Sequence, residues 1–137
     1  MKMLMIVLAV AMVGCTGGKN SVELLKNRNW QLQSVVNNGE TLENPQELPV
    51  LNFADSSKVS GTAGCNSFFG SYEASNEGDM SFKLGGTTMM YCPDMSFETE
   101  YLKLLTRLDK FVVDSKTLSI KSADGKIVIN YTLQTEE

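Results

Sequence analysis

The sequence predicts an α+β domain dominated by antiparallel strands, a curled sheet accompanied by one main helix. Three features carry that expectation. Apolar and polar residues alternate with a period of two through most of the chain after residue 27, turn signals such as Asn38-Gly39 and Asp124-Gly125 separate the alternating runs, and one stretch alone switches to helical spacing.

The elements follow in order. Trp30, Leu32 and Ser34 alternate with Asn29, Gln31 and Gln33, which predicts a half-buried first strand. Asn38-Gly39 ends it as a turn, and Thr41-Leu42 begins the return. The segment from Asn44 to Pro49 carries two prolines, so it reads as a loop or an interrupted edge. Val50 to Ala54 is the next strand, followed by a polar turn from Asp55 to Lys58. Val59 to Gly64 continues with small residues, which suggests a bend or a close approach of backbone. Phe69 to Ala74 and Met80 to Leu84 flank the turn-rich Ser75 to Asp79 and form a hairpin pattern. Phe97, Tyr101, Leu102, Leu104, Leu105 and Leu108 then recur at helical spacing, with Asp94 or Ser96 placed to cap the start. Three strands close the chain: Lys110 to Asp114, Thr117 to Lys121 and Lys126 to Leu133, the last two joined around Asp124-Gly125. In the final strand Ile127, Ile129, Tyr131 and Leu133 make one face, against Val128, Asn130 and Thr132. The helix is expected to cover an open face or end of the curled sheet.

Ahead of this domain stands the segment MKMLMIVLAVAMVGC. It has a basic start at Lys2, an apolar core from Met3 to Val13 and small Gly14 before Cys15, the layout of a secretory signal. Its apolar run falls well short of the roughly 20 residues a spanning helix needs. Met12-Val13-Gly14-Cys15 resembles the lipobox of bacterial lipoproteins, with Met12 where that pattern usually has Leu. The resemblance implies that residues 1–14 are removed as a signal peptide and that Cys15 is lipidated. Residues 15–26 then serve as lipidated cysteine and flexible tether, since Thr16 to Ser21 is small and polar, and residues 27–134 form the domain. Acyl chains contribute about 0.8 kcal/mol per buried methylene, so multiple acylation anchors a protein without a transmembrane helix. Thr16, rather than Asp, follows the cysteine, and by analogy with proteobacterial sorting this points to the outer membrane.

Without its first 14 residues the chain of 137 keeps 123, the size of one ordinary domain. Its 12 basic and 16 acidic residues become 11 and 16 once Lys2 is lost, a formal balance of −5 with no basic cluster. That disfavours nucleic acid and anionic headgroups as partners through a cationic face. There is no histidine, which excludes Ser-His-Asp and Cys-His catalysis and histidine-based zinc hydrolysis. A glycine-rich phosphate loop followed by Lys-Ser/Thr is also missing, and no cofactor is implied. The carboxylate pairs Glu98 with Glu100 and Asp94 with Glu98 are better placed as a solvated helix start, where the dipole favours negative charge, than as an acid/base pair.

Three cysteines leave Cys65 and Cys92 as a pair once Cys15 is set aside, and in an oxidising envelope they would most simply form a disulfide. For a loop of this length the chain-entropy argument gives roughly 3 to 4 kcal/mol of stabilisation. A thiol-dependent redox protein is the competing reading, though neither cysteine lies in a C-x-x-C arrangement that would tune a thiolate. Two thiolates without histidine fall short of a four-ligand zinc shell.

Several of these residues also carry a family resemblance. Trp30-x-Leu32, Gly61-x-x-Gly64-Cys65-Asn66-x-Phe68-x-Gly70-x-Tyr72 and Thr88-x-Met90-x-Cys92, followed by the helix, make the chain similar to META-domain proteins of the heat-shock protein HslJ family over roughly residues 27 to 134. The resemblance implies a barrel-like, mostly antiparallel domain, common on envelope lipoproteins and linked to motility, virulence, heat shock and novobiocin tolerance, with no settled molecular activity. Read physically, the glycines permit positive φ or tight backbone contact, and Asn66 can bond local backbone or adopt a left-handed conformation. Trp30, Phe68 and Tyr72 suit a core, with partners required for the polar tips of Trp and Tyr. Met89 and Met90 beside Tyr91 offer either an adaptable partner-binding surface or, more plainly, one packed and one exposed side chain. The expected function is a non-enzymatic envelope lipoprotein that binds or stabilises another envelope component. The alternatives are redox chemistry at Cys65 and Cys92, or carriage of a small apolar ligand inside the curled sheet.

Overall fold

Every alternating run of the sequence becomes a strand, and the one run at helical spacing becomes the main helix. The computed structural model describes residues 21–135. Its elements are α1 (Ser21–Leu25), β1 (Asn29–Asn37), β2 (Glu40–Thr41), β3 (Val50–Phe53), β4 (Lys58–Thr62), β5 (Ser67–Ala74), β6 (Met80–Thr87), α2 (Ser96–Leu105), β7 (Lys110–Val113), β8 (Thr117–Lys121) and β9 (Ile127–Leu133). The expected signal peptide, Cys15 and the first part of the expected tether lie outside the described residues. No helix among the described residues is long and apolar enough to cross a membrane.

The strands form one sheet in the order β6-β5-β4-β3-β1-β9-β8-β7, with β2 paired to β1, and each of these pairings is antiparallel. The sheet curls until its two edges meet at one point. There Asp79 bridges Lys110, Met80 N–H donates to the Asp109 carbonyl at 2.9 Å, and Phe111 N–H donates to the Gly78 carbonyl at 2.9 Å. The result is a curled antiparallel half-barrel with one main helix, as the alternation and the helical run predict.

The inner face is filled by alternate strand residues. Trp30, Leu32, Leu51, Phe53, Val59, Phe68, Tyr72, Leu118, Ile120, Ile127, Ile129 and Tyr131 are buried there, and α2 adds Tyr101, Leu104 and Leu105. Each large aliphatic side chain removed from water in this way contributes about 1.5–3 kcal/mol. The polar tips find partners: Trp30 Nε1–H donates to the Leu25 carbonyl at 3.1 Å, and Tyr72 O–H to the Ala54 carbonyl at 2.9 Å. The hydroxyls of Tyr101 and Tyr131 meet at 2.6 Å within the core.

Two expectations change. Ser34 does not continue the inward face, because a bulge between Leu32 and Ser34 against β9 shifts the alternation and brings Val35 inside. Ser34 Oγ instead accepts a bond from Asn130 Nδ2 at 3.1 Å. Residues 21–26, assigned to the tether by composition, are packed structure: Ser21–Leu25 is helical, Leu25 is fully buried, and Lys26 bridges Phe53. The contact that fixes this turn is the Trp30 indole on the Leu25 carbonyl, a partner choice that composition does not reveal.

Candidate functional site

Gly64, Cys65, Asn66, Thr88, Met90 and Cys92 converge at one end of the half-barrel, where the β4–β5 turn meets the loop that runs from β6 into α2. Gly64 begins the turn with φ of +108°, a conformation that L side chains rarely adopt, and a Cβ there would also press on Pro45 at 3.3 Å. Cys65 follows and is joined to Cys92 in the loop, with a Cα–Cα separation of 6.2 Å and a sequence separation of 27.

Asn66 is the centre of the corner. Its backbone N–H donates to Glu98 Oε1 at 2.6 Å, and its side-chain amide donates to Glu98 Oε2 at 2.7 Å and to the Met90 carbonyl at 3.2 Å. Its Oδ1 accepts the Thr88 hydroxyl at 2.8 Å and the Met90 N–H at 2.7 Å. Glu98 Oε1 also accepts the Cys65 N–H at 3.2 Å. Thr88 Oγ1 in turn accepts the Ser67 N–H at 3.1 Å. Both donors of the amide and both lone pairs of its oxygen are therefore used, so a buried Asn is accommodated without an orphaned group.

Glu98 is 5 % exposed and is not part of a solvated helix start. The expectation failed because Glu98 lies on the same helix face as Tyr101 and Leu105, the face that packs inward. Its carboxylate satisfies backbone N–H groups of the turn, which is a charge-assisted role. Asn66, for its part, reaches across to another loop rather than adopting a left-handed conformation; among the described residues the non-glycine positions with positive φ are Asn27, Asn38 and Ser57. At the helix start the N-cap position falls to Met95, which makes no side-chain cap bond, rather than to Asp94 or Ser96; Asp94, just before it, accepts Ser96 Oγ–H at 2.6 Å and Ser96 N–H at 2.9 Å through Oδ1. Those two bonds, the hydroxyl's first, hold its carboxyl below the ordinary carboxylate range.

The other motif residues serve the frame. A Cβ at Gly61 would strike the Val50 carbonyl oxygen across β3, and one at Gly70 the Lys83 carbonyl at the β5–β6 bulge, so both are sites of close backbone approach. Phe68 packs against Tyr101 and Tyr72 against Phe53, at centroid distances of 6.5 and 4.9 Å. Met90 supplies backbone groups to Asn66 while its side chain points outward.

Neither methionine of the loop packs inside. Met89, Met90 and Tyr91 are 93, 58 and 90 % exposed, which corrects the plainer expectation of one buried and one exposed. Phe69, an exposed residue on the outer face of β5, lies over Gly85 and Gly86. The loop presents these groups from a backbone pinned at Thr88, Met90 and Cys92. Sequence reasoning missed Glu98 as a structural acceptor; its spacing of three from Tyr101 was the available signal.

Other sites are weaker. A shallow depression of about 340 Å³ is lined by Glu73, Ala74, Ser75, Asp79, Met80 and Ser81 near the β5–β6 turn, and one of about 280 Å³ by Asn37, Glu40, Thr41, Leu42 and Glu100. Neither lies inside the curl, whose interior is taken up by the core side chains. Among the described residues no group of three or more Asp, Glu or Cys side chains is gathered as a metal site.

The family model of the META domain matches residues 23–135. No curated protein matches this chain. Among solved structures, a solution structure of a protein from Burkholderia xenovorans superposes with a TM-score of 0.70 at 26 % identity, covering 85 % of this chain and 88 % of that one. A duf4847 family protein from Bacteroides vulgatus ATCC 8482 superposes with a TM-score of 0.65 at 13 % identity, covering 84 % and 98 %, and shares the fold. With its strand order, its stapled corner and a family match across nearly all described residues, the chain belongs to the META domain family, a non-catalytic family.

Proposed function

We propose that this protein is a non-enzymatic, lipid-anchored component of the bacterial cell envelope, held at the outer membrane through Cys15. Its META domain binds or stabilises another envelope protein during assembly or stress. The observation that carries the reading is the Met89-Met90-Tyr91 loop, which leaves three large apolar side chains in solvent while the disulfide and Asn66 fix its backbone. Rigid exposed apolar groups add nothing to folding, and they reduce the entropy that a partner must overcome.

The alternatives have less support. Cys65 and Cys92 are already joined and their turn is held by Glu98, a frame suited to stapling rather than turnover. The curl holds packed side chains where an apolar ligand would sit.

Two measurements on native cells test the proposal. Intact mass of membrane-purified protein, with thiol alkylation before and after reduction, is expected to show a chain beginning at acylated Cys15 and two thiols that appear only on reduction. A photo-crosslinking residue at position 91 is expected to capture one specific envelope protein, whereas the same residue at Val112, an exposed apolar position on β7, captures none. An unacylated Cys15, rapid alkylation of Cys65 and Cys92 without reduction, or equal capture at both positions would each overturn the proposal.

A further inference from the structure

The segments around the exposed loop share a charge pattern that identifies what the loop is built to receive. Residues 37–49, 62–67 and 87–100 contain Glu40, Glu43, Glu47, Asp94, Glu98 and Glu100 and not one Lys or Arg. The fold gathers these segments at one end. Pro45 packs at Gly64, Thr62 Oγ1 accepts the Val50 N–H at 3.1 Å, Cys65 is stapled to Cys92, and Asn37 Nδ2 donates to Glu100 Oε1 at 3.4 Å. Glu98 is consumed inside, so Glu40, Glu43, Glu47, Asp94 and Glu100 are left at or near the surface. Lys126, whose carbonyl accepts the Asn38 N–H, stands beyond the β1–β2 turn and is accompanied by Asp124. A chain with a formal charge of −4 therefore concentrates unbalanced acid beside its exposed Met and Tyr side chains.

The same end points away from the N-terminus. Val22 N–H donates to Asn76 Oδ1 in the β5–β6 turn, so α1 sits at the opposite end of β6 from Thr88. The strand between them has eight residues, about 25 Å along its length at the usual rise. A membrane tether entering at Ser21 thus reaches the far end of the half-barrel from Met89. Anionic headgroups would in any case be repelled by a predominantly acidic rim.

We propose that this end is a docking surface for a positively charged segment of a partner protein. Lys or Arg side chains of that segment meet the acidic rim, and an apolar anchor packs on Met89, Met90 and Tyr91. Unbranched, polarizable methionine adapts to differently shaped anchors, and tyrosine offers a face to both apolar groups and cations. Complementary charge sets orientation and encounter rate, while the apolar contact holds the complex. The proposal rests on the binding reading above and adds the chemistry of the partner.

The experiment is selection from a random-peptide display library on the purified, oxidised full chain. Labelled peptides from the selection are then titrated against the wild type, M89S/Y91S, E43Q/E47Q and, as a control, V112S. The selected peptides are expected to be enriched in Lys and Arg beside Phe, Leu, Trp or Met. Affinity should fall about tenfold or more in M89S/Y91S, as for loss of interface anchors. It should fall several-fold in E43Q/E47Q, fall again as ionic strength approaches about 1 M, where screening acts within roughly 3 Å, and stay unchanged in V112S.

Peptides without basic enrichment, or binding indifferent to the substitutions, would overturn the proposal. So would concentration-dependent dimerisation abolished by M89S/Y91S, which makes a second copy the occupant, or loop-dependent partition into phosphatidylglycerol vesicles, which makes it a membrane. Specific crosslinking at position 91 without basic enrichment of the peptides would leave the binding function standing and remove this partner chemistry alone.

Discussion

Asn66 and Glu98 show how one buried polar pair can tie three segments together. Glu98→Gln keeps the size of the side chain but sets an amide N–H₂ where an acceptor is needed, either at the Cys65 and Asn66 N–H groups or at the Asn66 amide. Loss of a hydrogen bond to a charged group costs about 1.5–3 kcal/mol, so the unfolding free energy of Glu98→Gln from urea titration should fall by about that amount, with a lower midpoint at an unchanged slope. An unchanged midpoint would show that the pair does not hold the corner. The Tyr101–Tyr131 pair offers a second test. Tyr131→Phe leaves the Tyr101 hydroxyl buried without its partner at a cost of about 1–3 kcal/mol, while the double Phe variant should recover part of the loss. A double-mutant cycle by chemical denaturation measures that coupling. Burial pushes both phenols above their ordinary value, with the bond from Tyr131 opposing the shift at Tyr101 and the proximity of Tyr101 adding to it at Tyr131. The unfolded chain therefore loses these protons first. Stability from these two groups is fully present below about pH 10 and declines as pH rises above it, at up to roughly 1.4 kcal/mol per pH unit for each. Equilibrium unfolding between pH 8 and 11 should show that downturn in the wild type and a smaller one in the double Phe variant.

Among the elements, α1 departs furthest from the reading of its sequence. Five residues cannot form a stable helix alone, because nucleation costs more than so few bonds return. It persists because Leu25 enters the core and its carbonyl receives the Trp30 indole. Leu25→Ala should destabilise the domain by about 2–5 kcal/mol, the range for truncation of a buried leucine, whereas a linker segment would show no effect. Thermal unfolding of the variant distinguishes the two. In α2 the buried positions Glu98, Tyr101, Leu104 and Leu105 place a charged residue on the inward face, and this is possible only because the β4–β5 turn brings backbone donors to meet it. The β1 bulge follows the same logic: register against β9, rather than local alternation, decides that Val35 faces in.

Across the whole molecule the fold separates two ends. One holds α1 and the contact that joins β6 to β7, and the other holds the disulfide, the acidic segments and the Met-Tyr loop. The disulfide closes a separation of 27 residues, for which the loop-entropy argument gives roughly 3 to 4 kcal/mol. Urea unfolding of oxidised and reduced protein should differ by about that amount, with the Met89–Tyr91 amides exchanging faster after reduction. Equal stability of the two forms would mean that Asn66 and Glu98 hold the corner unaided.

The sequence by itself determined the strands and the main helix, though not α1, because periods of two and 3.6 are local properties written into neighbouring residues. It likewise determined the aromatic core positions and the pairing of Cys65 with Cys92, and it marked the glycines whose neighbours leave no room for a side chain. Tertiary structure alone decided that Ser34 yields to Val35, that residues 21–26 join the core and that Glu98 is an acceptor for the turn. It also decided that both methionines face solvent among carboxylates. Each of these depends on which distant segment arrives alongside: β9 at the bulge, the Trp30 indole at α1, the β4–β5 turn at Glu98 and the 37–49 segment at the acidic rim. A residue's local pattern sets the direction of its side chain only where the register stays regular, and the partner it meets there is set by chain closure over the whole sheet.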